Sequence, residues 1–190
     1  VGNVIVNDVD KANLFNEYFA SVGTVDNNVL PPSTNKMSKE KMLSNVEFNS
    51  DNVMLAMNQL KANLSSGPDG LPPLLLKRLK HSLAGPLAMI YTQLLSVAAV
   101  PDEWKQAIIT PVFKKGATGN VTNYRPISLT CVPCKIMESI VFGQVKEHLT
   151  RNNVPNDIQH GFTAGRSCLT NLLVSLEEWT KAIDEECAVD

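Results

Sequence analysis

The residues best placed to do chemistry are Lys114, Lys115 and Arg125. The two lysines close an apolar run that starts at Ala107-Ile-Ile and continues through Pro111-Val-Phe. Arg125 stands alone inside a second apolar run, Asn123-Tyr-Arg-Pro-Ile-Ser-Leu-Thr130, and a Gly/Asn-rich stretch, Gly116-Ala-Thr-Gly-Asn120, separates the two. Two short strands joined by a flexible loop, with cations at its base, are the local expectation. Cations on strands beside a mobile loop suit a triphosphate or a nucleic-acid backbone. The plain alternative is a solvated hairpin whose cations keep it soluble.

Other reactive groups are less organised. Cys131 and Cys134 make one Cys-x-x-Cys, but Cys168 and Cys187 form no second pair and the three histidines show no ligand spacing. A structural zinc site wants that second pair, so ordinary thiols on or near a helix are expected. No thioredoxin-like strand and helix surround the motif, which argues against redox work. Ser65-Ser-Gly-Pro-Asp-Gly70 reads as a tight turn in which Gly67 and Gly70 permit left-handed dihedrals, Pro68 fixes one φ and Asp69 bonds nearby backbone. Its plain role is to join helices; its exposed amides beside Ser65 and Ser66 could equally meet a phosphate. Arg166, beside a helix start, suits a phosphate or a surface salt bridge.

Helical spacing supplies the elements around these groups. Leu14, Phe15, Tyr18, Phe19 and Val22 predict a helix over 10–22, capped by Asp8 or Asp10 and ended by Gly23. A Pro-Pro linker follows over 24–41. Within 48–64, Asn49, Ser50 or Asp51 caps a helix with Val53, Met54, Met57 and Leu60 inward. Pro72 and Pro73 open a helix carrying Leu74, Leu75, Leu76 and Leu79, and Gly85-Pro86 is expected to break it. A further helix over 87–97 would face Ile90, Tyr91, Leu94 and Leu95 inward, and Trp104 would roof the core after the turn at Pro101. Helices are also expected over 131–149, with Ile136, Met137, Ile140, Val141, Val145 and Leu149 buried, and over 169–183, with Leu172, Leu173, Leu176, Trp179 and Ile183 as the apolar face. A connector covers 152–156, Gly161 and Gly165 leave room for a neighbouring backbone, and Ala188-Val189 begins a strand.

The 190 residues suffice for one core or one and a half small ones, and 44% hydrophobic with 19% charged residues reads as folded. A net charge of −2 confines any nucleic-acid contact to a local patch. No run is apolar and long enough to span a bilayer. Val1 is not an initiator methionine and the chain stops at Asp190 without a helix stop, so both ends read as cut.

Taken together, Asn123-Tyr-Arg-Pro-Ile-Ser-Leu129 and Gln159-His-Gly-Phe-Thr-Ala-Gly-Arg-Ser167 resemble the reverse transcriptase of non-long-terminal-repeat retrotransposons, in particular the jockey-like and chicken-repeat-like LINE lineages. Phe15-Asn-Glu-Tyr-Phe19, the turn at 65–70, Val100-Pro-Asp-Glu-Trp-Lys105, Pro111-Val-Phe-Lys-Lys115 and Pro133-Cys-Lys-Ile-Met-Glu138 match in order and spacing. Leu64, where the family often has lysine, and Glu186, where it commonly has glycine, depart from the pattern.

The resemblance implies an α+β, mostly helical fold forming the fingers and the start of the palm of a right-hand polymerase, incomplete. It divides the chain into a helix and linker over 1–47 and the polymerase segment over 48–190. It places Lys114 or Lys115, with Lys114 favoured, and Arg125 at the incoming triphosphate. Gln159, Gly161, Phe162, Arg166, Ser65, Ser66 and Gly67 would contact the template and nascent pair, with Phe162 packed behind a nucleotide and Arg166 near the same cleft. Implied partners are an RNA template, a DNA primer, deoxynucleoside triphosphates and the remaining palm and thumb of the same polypeptide; no membrane is involved. The setting would be intracellular, in the nucleus, with a cytoplasmic ribonucleoprotein as alternative.

The family's chemistry needs carboxylates on two Mg²⁺ ions, and the motifs that supply them are not among residues 1–190. The family's first catalytic aspartate would follow shortly after Asp190, which is not itself expected to be a metal ligand, and Asp69, Asp102 and Asp157 have turn or capping contexts. These residues alone are therefore expected to bind no catalytic metal and to lack polymerase activity. The competing expectations are a non-enzymatic nucleic-acid-binding remnant and a folded module without activity. Apolar surface is expected near Ile108, Phe162 and Val189.

Overall fold

A computed structural model describes residues 5–23, 29, 42–61, 63, 65–154 and 158–187. The expected linker at 24–41 (Val29 apart), Leu64, part of the connector at 152–156, Asp157 and the strand at 188–189 lie outside the described residues. The architecture is mixed: helices α1 (Asp8–Ser21), α2 (Ser50–Gln59), α3 (Pro73–Arg78), α4 (Lys80–Ser96), α5 (Val132–Arg151) and α6 (Cys168–Asp184), with strands β1 (Ala107–Phe113) and β2 (Tyr124–Thr130) between α4 and α5. This bears out the α+β expectation. The chain divides into two compact units, Val1–Gly143 and Gln144–Asp190.

In the first unit the caps follow side-chain chemistry. Asn7, and neither Asp8 nor Asp10, caps α1: its Oδ1 accepts from the Val9 amide at 2.8 Å. The two aspartates occupy the first turn instead, where they complement the helix dipole. Asn49 and Asn52 cap α2 reciprocally, at 2.9 and 3.1 Å. α2 stops at Gln59, short of the expected 64, because Leu60 turns extended and gives its carbonyl to the Lys77 ammonium at 3.0 Å.

Gly85-Pro86 does not break the chain as expected; α4 runs through it. Pro86 removes a single intrahelical donor, whereas continuity keeps Ala84, Ala88 and Tyr91 on one buried face. That face is rotated from the expected one, leaving Ile90 and Leu95 exposed. The small alanines at 84 and 88, with Gly85 beside the Ser50 hydroxyl, let α4 lie close against α2.

Tyr91 is the centre of the core and fully buried. Phe48 lies 5.4 Å away and Trp104 6.0 Å away edge-on, so Trp104 does roof the core. The Tyr91 hydroxyl donates to the Pro133 carbonyl at 2.8 Å, tying α4 to the start of α5. Val132, Ile136 and Ile140 complete the core from α5. Burial, and then Cys134, pushes the Tyr91 phenol well above its ordinary range. Burial, followed by the Glu138 carboxylate, pushes the Cys134 thiol up to about 11. Both cysteines of the Cys-x-x-Cys are buried and unbridged, so Cys134 is a protonated packing group at neutral pH.

The second unit carries α6, capped reciprocally by Ser167 and Thr170. Its spacing is amphipathic as expected, yet no α6 residue is buried. Leu172, Leu173, Leu176, Trp179 and Ile183 are all more than half exposed.

Candidate functional site

The hairpin places the cations through its two-residue period. β1 and β2 pair antiparallel, with Val112 opposite Arg125 and Phe113 opposite Tyr124. One face therefore carries Ala107, Ile109, Pro111 and Phe113 with Tyr124, and the other carries Ile108, Thr110 and Val112 with Arg125, Ile127 and Leu129. α1 lies against the Tyr124 end of the first face, whose Ile109 and Phe113 remain exposed. Phe15 meets Tyr124 at 4.8 Å, Tyr124 meets Phe113 at 5.4 Å, and a cleft of about 550 Å³ remains between Phe15, Phe19, Ile109 and Pro111. The second face is open: Ile108, Val112, Arg125 and Ile127 are all exposed.

The Lys114 amide donates to the Asn123 carbonyl at 2.8 Å, which extends the ladder by one pair. Lys114 then lies two residues beyond Val112 and shares the open face with Arg125. Lys115 falls in the bend that follows, off the ladder. The same alternation puts Pro111 and Pro126 opposite each other at a non-hydrogen-bonded pair, where neither missing N–H is needed.

The loop between the strands is tied down, contrary to its expected flexibility. Asn123 Nδ2 donates to the Ala117 carbonyl at 2.9 Å, the Tyr124 hydroxyl to the Thr118 carbonyl at 2.9 Å, and the Thr122 amide to Asn120 Oδ1 at 3.0 Å. Gly116 sits at φ +95°, and a Cβ there would lie 2.7 Å from Asn123 Nδ2. Asparagines that read as loop filler therefore hold the base of the turn, Asn120 and Asn123 among them.

The turn at 65–70 uses its two glycines differently. Gly70 alone is left-handed, at φ +66°. Gly67 is buried, with a Cβ position only 2.4 Å from the Thr130 carbonyl oxygen, so it is needed for close approach. Its carbonyl accepts from the Gly70 amide at 3.1 Å, and Asp69 Oδ1 accepts from the Leu71 amide at 3.2 Å. Ser65, Ser66 and Gly67 thus sit at the far end of β2 from Arg125, about 17 Å along an extended strand. The two groups of residues share a strand without forming one cluster.

In the second unit, residues 159–167 form a self-bonded loop. The Gln159 carbonyl accepts from Thr163 Oγ1 at 3.0 Å and Arg166 Nη1 at 3.4 Å, and Gln159 Nε2 donates to the Gly161 carbonyl at 3.0 Å. His160 Nδ1 shares a hydrogen bond with Thr170 Oγ1 at 2.9 Å. His160, Thr163 and Thr170 were not singled out from the sequence; the Ser-x-x-Thr cap at 167–170 was the available signal. No other backbone approaches Gly161 or Gly165 among the described residues. Gly165 serves a φ of +77°, and Gly161 faces the Gln159 side chain. Phe162 is left-handed at φ +59° and fully exposed, packed behind nothing among the described residues.

Among the described residues no three of His, Cys, Asp and Glu converge on a point that could hold a metal ion. Asp69 and Asp102 are engaged in the turn and with Lys105 at 2.8 Å. Among the described residues the donors do not fit the pair of Mg²⁺ ions implied by the resemblance. No helix among the described residues is long and apolar enough to cross a membrane.

Comparison with known sequences finds a relative that covers most of the chain. Over 137 residues, 72% of its length, the chain is 28% identical to the "Probable RNA-directed DNA polymerase from transposon BS" of Drosophila melanogaster. The chain spans about 15% of that relative's length. No protein-family model matches it.

Proposed function

We infer, from the chain's kinship with the reverse transcriptases of non-LTR retrotransposons, that it is a segment of a LINE-type RNA-directed DNA polymerase supplying fingers and the start of the palm. The observation that carries this reading is the open hairpin face bearing Lys114 and Arg125. α1 packs on the face opposite the two cations, through Phe15 against Tyr124. Arg125 suits a bidentate grip on two phosphate oxygens, and Lys114 adds a point charge beside it. Fixed cations there would offset charge as pyrophosphate leaves. Ile108, Val112 and Ile127 on the same face would exclude water and strengthen those contacts. Lys115, off the ladder, is left outside the assignment.

The turn at 65–67 and the loop at Gln159, Gly161, Phe162 and Arg166 are assigned to the template and nascent pair. The parent would take an RNA template, a DNA primer and deoxynucleoside triphosphates, and would act in the nucleus at a nicked target. Residues 48–190 would belong to its polymerase region and 1–47 to the segment before it. By itself the chain would bind nucleic acid without polymerising.

Titration of the chain with a labelled RNA–DNA primer–template between about 50 and 200 mM salt tests the template half of this reading. Affinity should fall with salt, and Arg166→Ala should lower the salt slope by about one. Lys114→Ala and Arg125→Ala should leave it nearly unchanged, because their ligand is the triphosphate. Binding that depends on Lys114 and Arg125 instead would favour a simple nucleic-acid-binding remnant, and salt-independent binding would defeat both.

A further inference from the structure

The apolar residues of α6 follow the pattern of a helix that pairs with another helix. Leu169, Leu172, Leu176, Trp179 and Ile183 recur at alternating spacings of three and four, the seam of a coiled coil, and Leu173 widens it. All six are more than half exposed. The positions beside the seam, Leu173, Ser175, Thr180 and Ala182, carry no charge. Glu177, Glu178 and Lys181 fall on the outer side of the helix, where Lys181 pairs with Glu185 at 3.8 Å. A second helix laid along the seam therefore desolvates no charged group.

We propose that this face pairs with the same face of a second copy of the chain, the two α6 helices running antiparallel. The stripe is symmetric about Leu176: Leu173 and Trp179 lie three residues to either side of it, and Leu169 and Ile183 seven. A two-fold axis at Leu176 sets Leu169 opposite the partner's Ile183 and Leu173 opposite the partner's Trp179, the self-complementarity that an isologous dimer needs. Charge selects the direction. Arg166 and the positive end of the helix dipole lie at the start of α6, and Asp184, Glu185 and Glu186 lie at its end. Antiparallel pairing brings opposite ends together, whereas parallel pairing would set the three acids of one copy against those of the other. Six large apolar side chains, each more than half exposed, supply most of the roughly 800 Å² per partner that a stable interface buries. The helix is already capped by Ser167 and Thr170, so pairing does not have to order it first.

Multi-angle light scattering in the micromolar range should give twice the mass of one 190-residue chain. Leu176→Glu, at the centre of the seam in both copies, should raise the dimer Kd about thirtyfold or more. Because Leu176 is exposed in the single chain, thermal unfolding in dilute solution should be unchanged. Cys168 and Cys187 are exposed thiols at opposite ends of α6, while Cys131 and Cys134 are buried. A short bismaleimide should join Cys168 to the partner's Cys187. Either Cys168→Ser or Cys187→Ser should abolish that product, since like ends of antiparallel 17-residue helices lie about 25 Å apart. A monomer at these concentrations overturns the proposal, and one that Leu176→Glu destabilises would have the face covered from within the polypeptide. A dimer that Leu176→Glu leaves intact overturns it too, by placing the contact on another surface. A cross-link that survives in either serine variant would mean parallel helices and would contradict the antiparallel pairing.

Discussion

Tyr91→Ala should destabilise the first unit by about 3–5 kcal/mol, the range for removing a buried aromatic from a packed core. That is a large share of the roughly 5–15 kcal/mol that holds a domain folded. The side chain is fully buried, touches Phe48 and Trp104, and binds the Pro133 carbonyl across α4 and α5. Truncation therefore leaves a cavity and removes the hydrogen bond together. Tyr91→Phe separates the two, since it keeps the ring and should cost about 1 kcal/mol. Urea unfolding followed by far-ultraviolet circular dichroism measures both. Equal losses from the two variants would mean that the hydroxyl, and not the packing, is what counts. A loss near zero for Tyr91→Ala would place Tyr91 outside the core. β2 leads directly into α5 at Val132, so this loss should also loosen the root of the cationic hairpin.

Gly67→Ala should cost about 1–3 kcal/mol or more, because the added methyl meets backbone that cannot rotate away. A Cβ at 67 would lie 2.4 Å from the Thr130 oxygen and 2.7 Å from the Cys131 nitrogen. Gly70→Ala is the informative comparison. Nothing lies within 4 Å of its Cβ position, and the penalty there is conformational, about 1–2 kcal/mol at φ +66°. Asparagine tolerates left-handed backbone, so Gly70→Asn should recover most of that loss while Gly67→Asn should be worse than Gly67→Ala. Denaturation midpoints for the four variants decide it. If asparagine rescues position 67, the close approach to β2 is not real. The contact also fixes the Ser65–Ser66 turn to the strand that bears Arg125.

These two glycines show where sequence reasoning stops. Both were legible as turn residues, but which one serves a dihedral and which a contact depends on Thr130, sixty-odd residues away in the chain. The paired runs around 107–113 and 124–130 announced a hairpin through their apolar content, and the structure has it. Which of Lys114 and Lys115 shares a face with Arg125 needed the register, because a shift of one residue moves a side chain to the other face. Pro86 was misread because the local rule counts a lost hydrogen bond and cannot see that Ala84, Ala88 and Tyr91 share a buried face across it. The hydrogen bonds of the loop asparagines and the left-handed backbone of Phe162 were not legible for a similar reason: contacts and dihedrals are not encoded in composition. In α6 the amphipathic spacing was correct, yet spacing says only which face is apolar and not whether anything covers it.

We propose that Lys114 and Arg125, on one hairpin face, hold the incoming triphosphate. The most direct test is reverse-transcription kinetics of the longer polymerase in which we place this segment, with Lys114, Lys115 and Arg125 changed singly to alanine. The loss of a charge-assisted contact should raise the deoxynucleoside triphosphate KM about tenfold or more for Arg125→Ala, and by several-fold for Lys114→Ala, with primer–template affinity unchanged. Lys115→Ala should stay close to the unsubstituted enzyme. A Lys115 effect equal to or larger than that of Lys114, or a triphosphate KM indifferent to Arg125, would contradict the account.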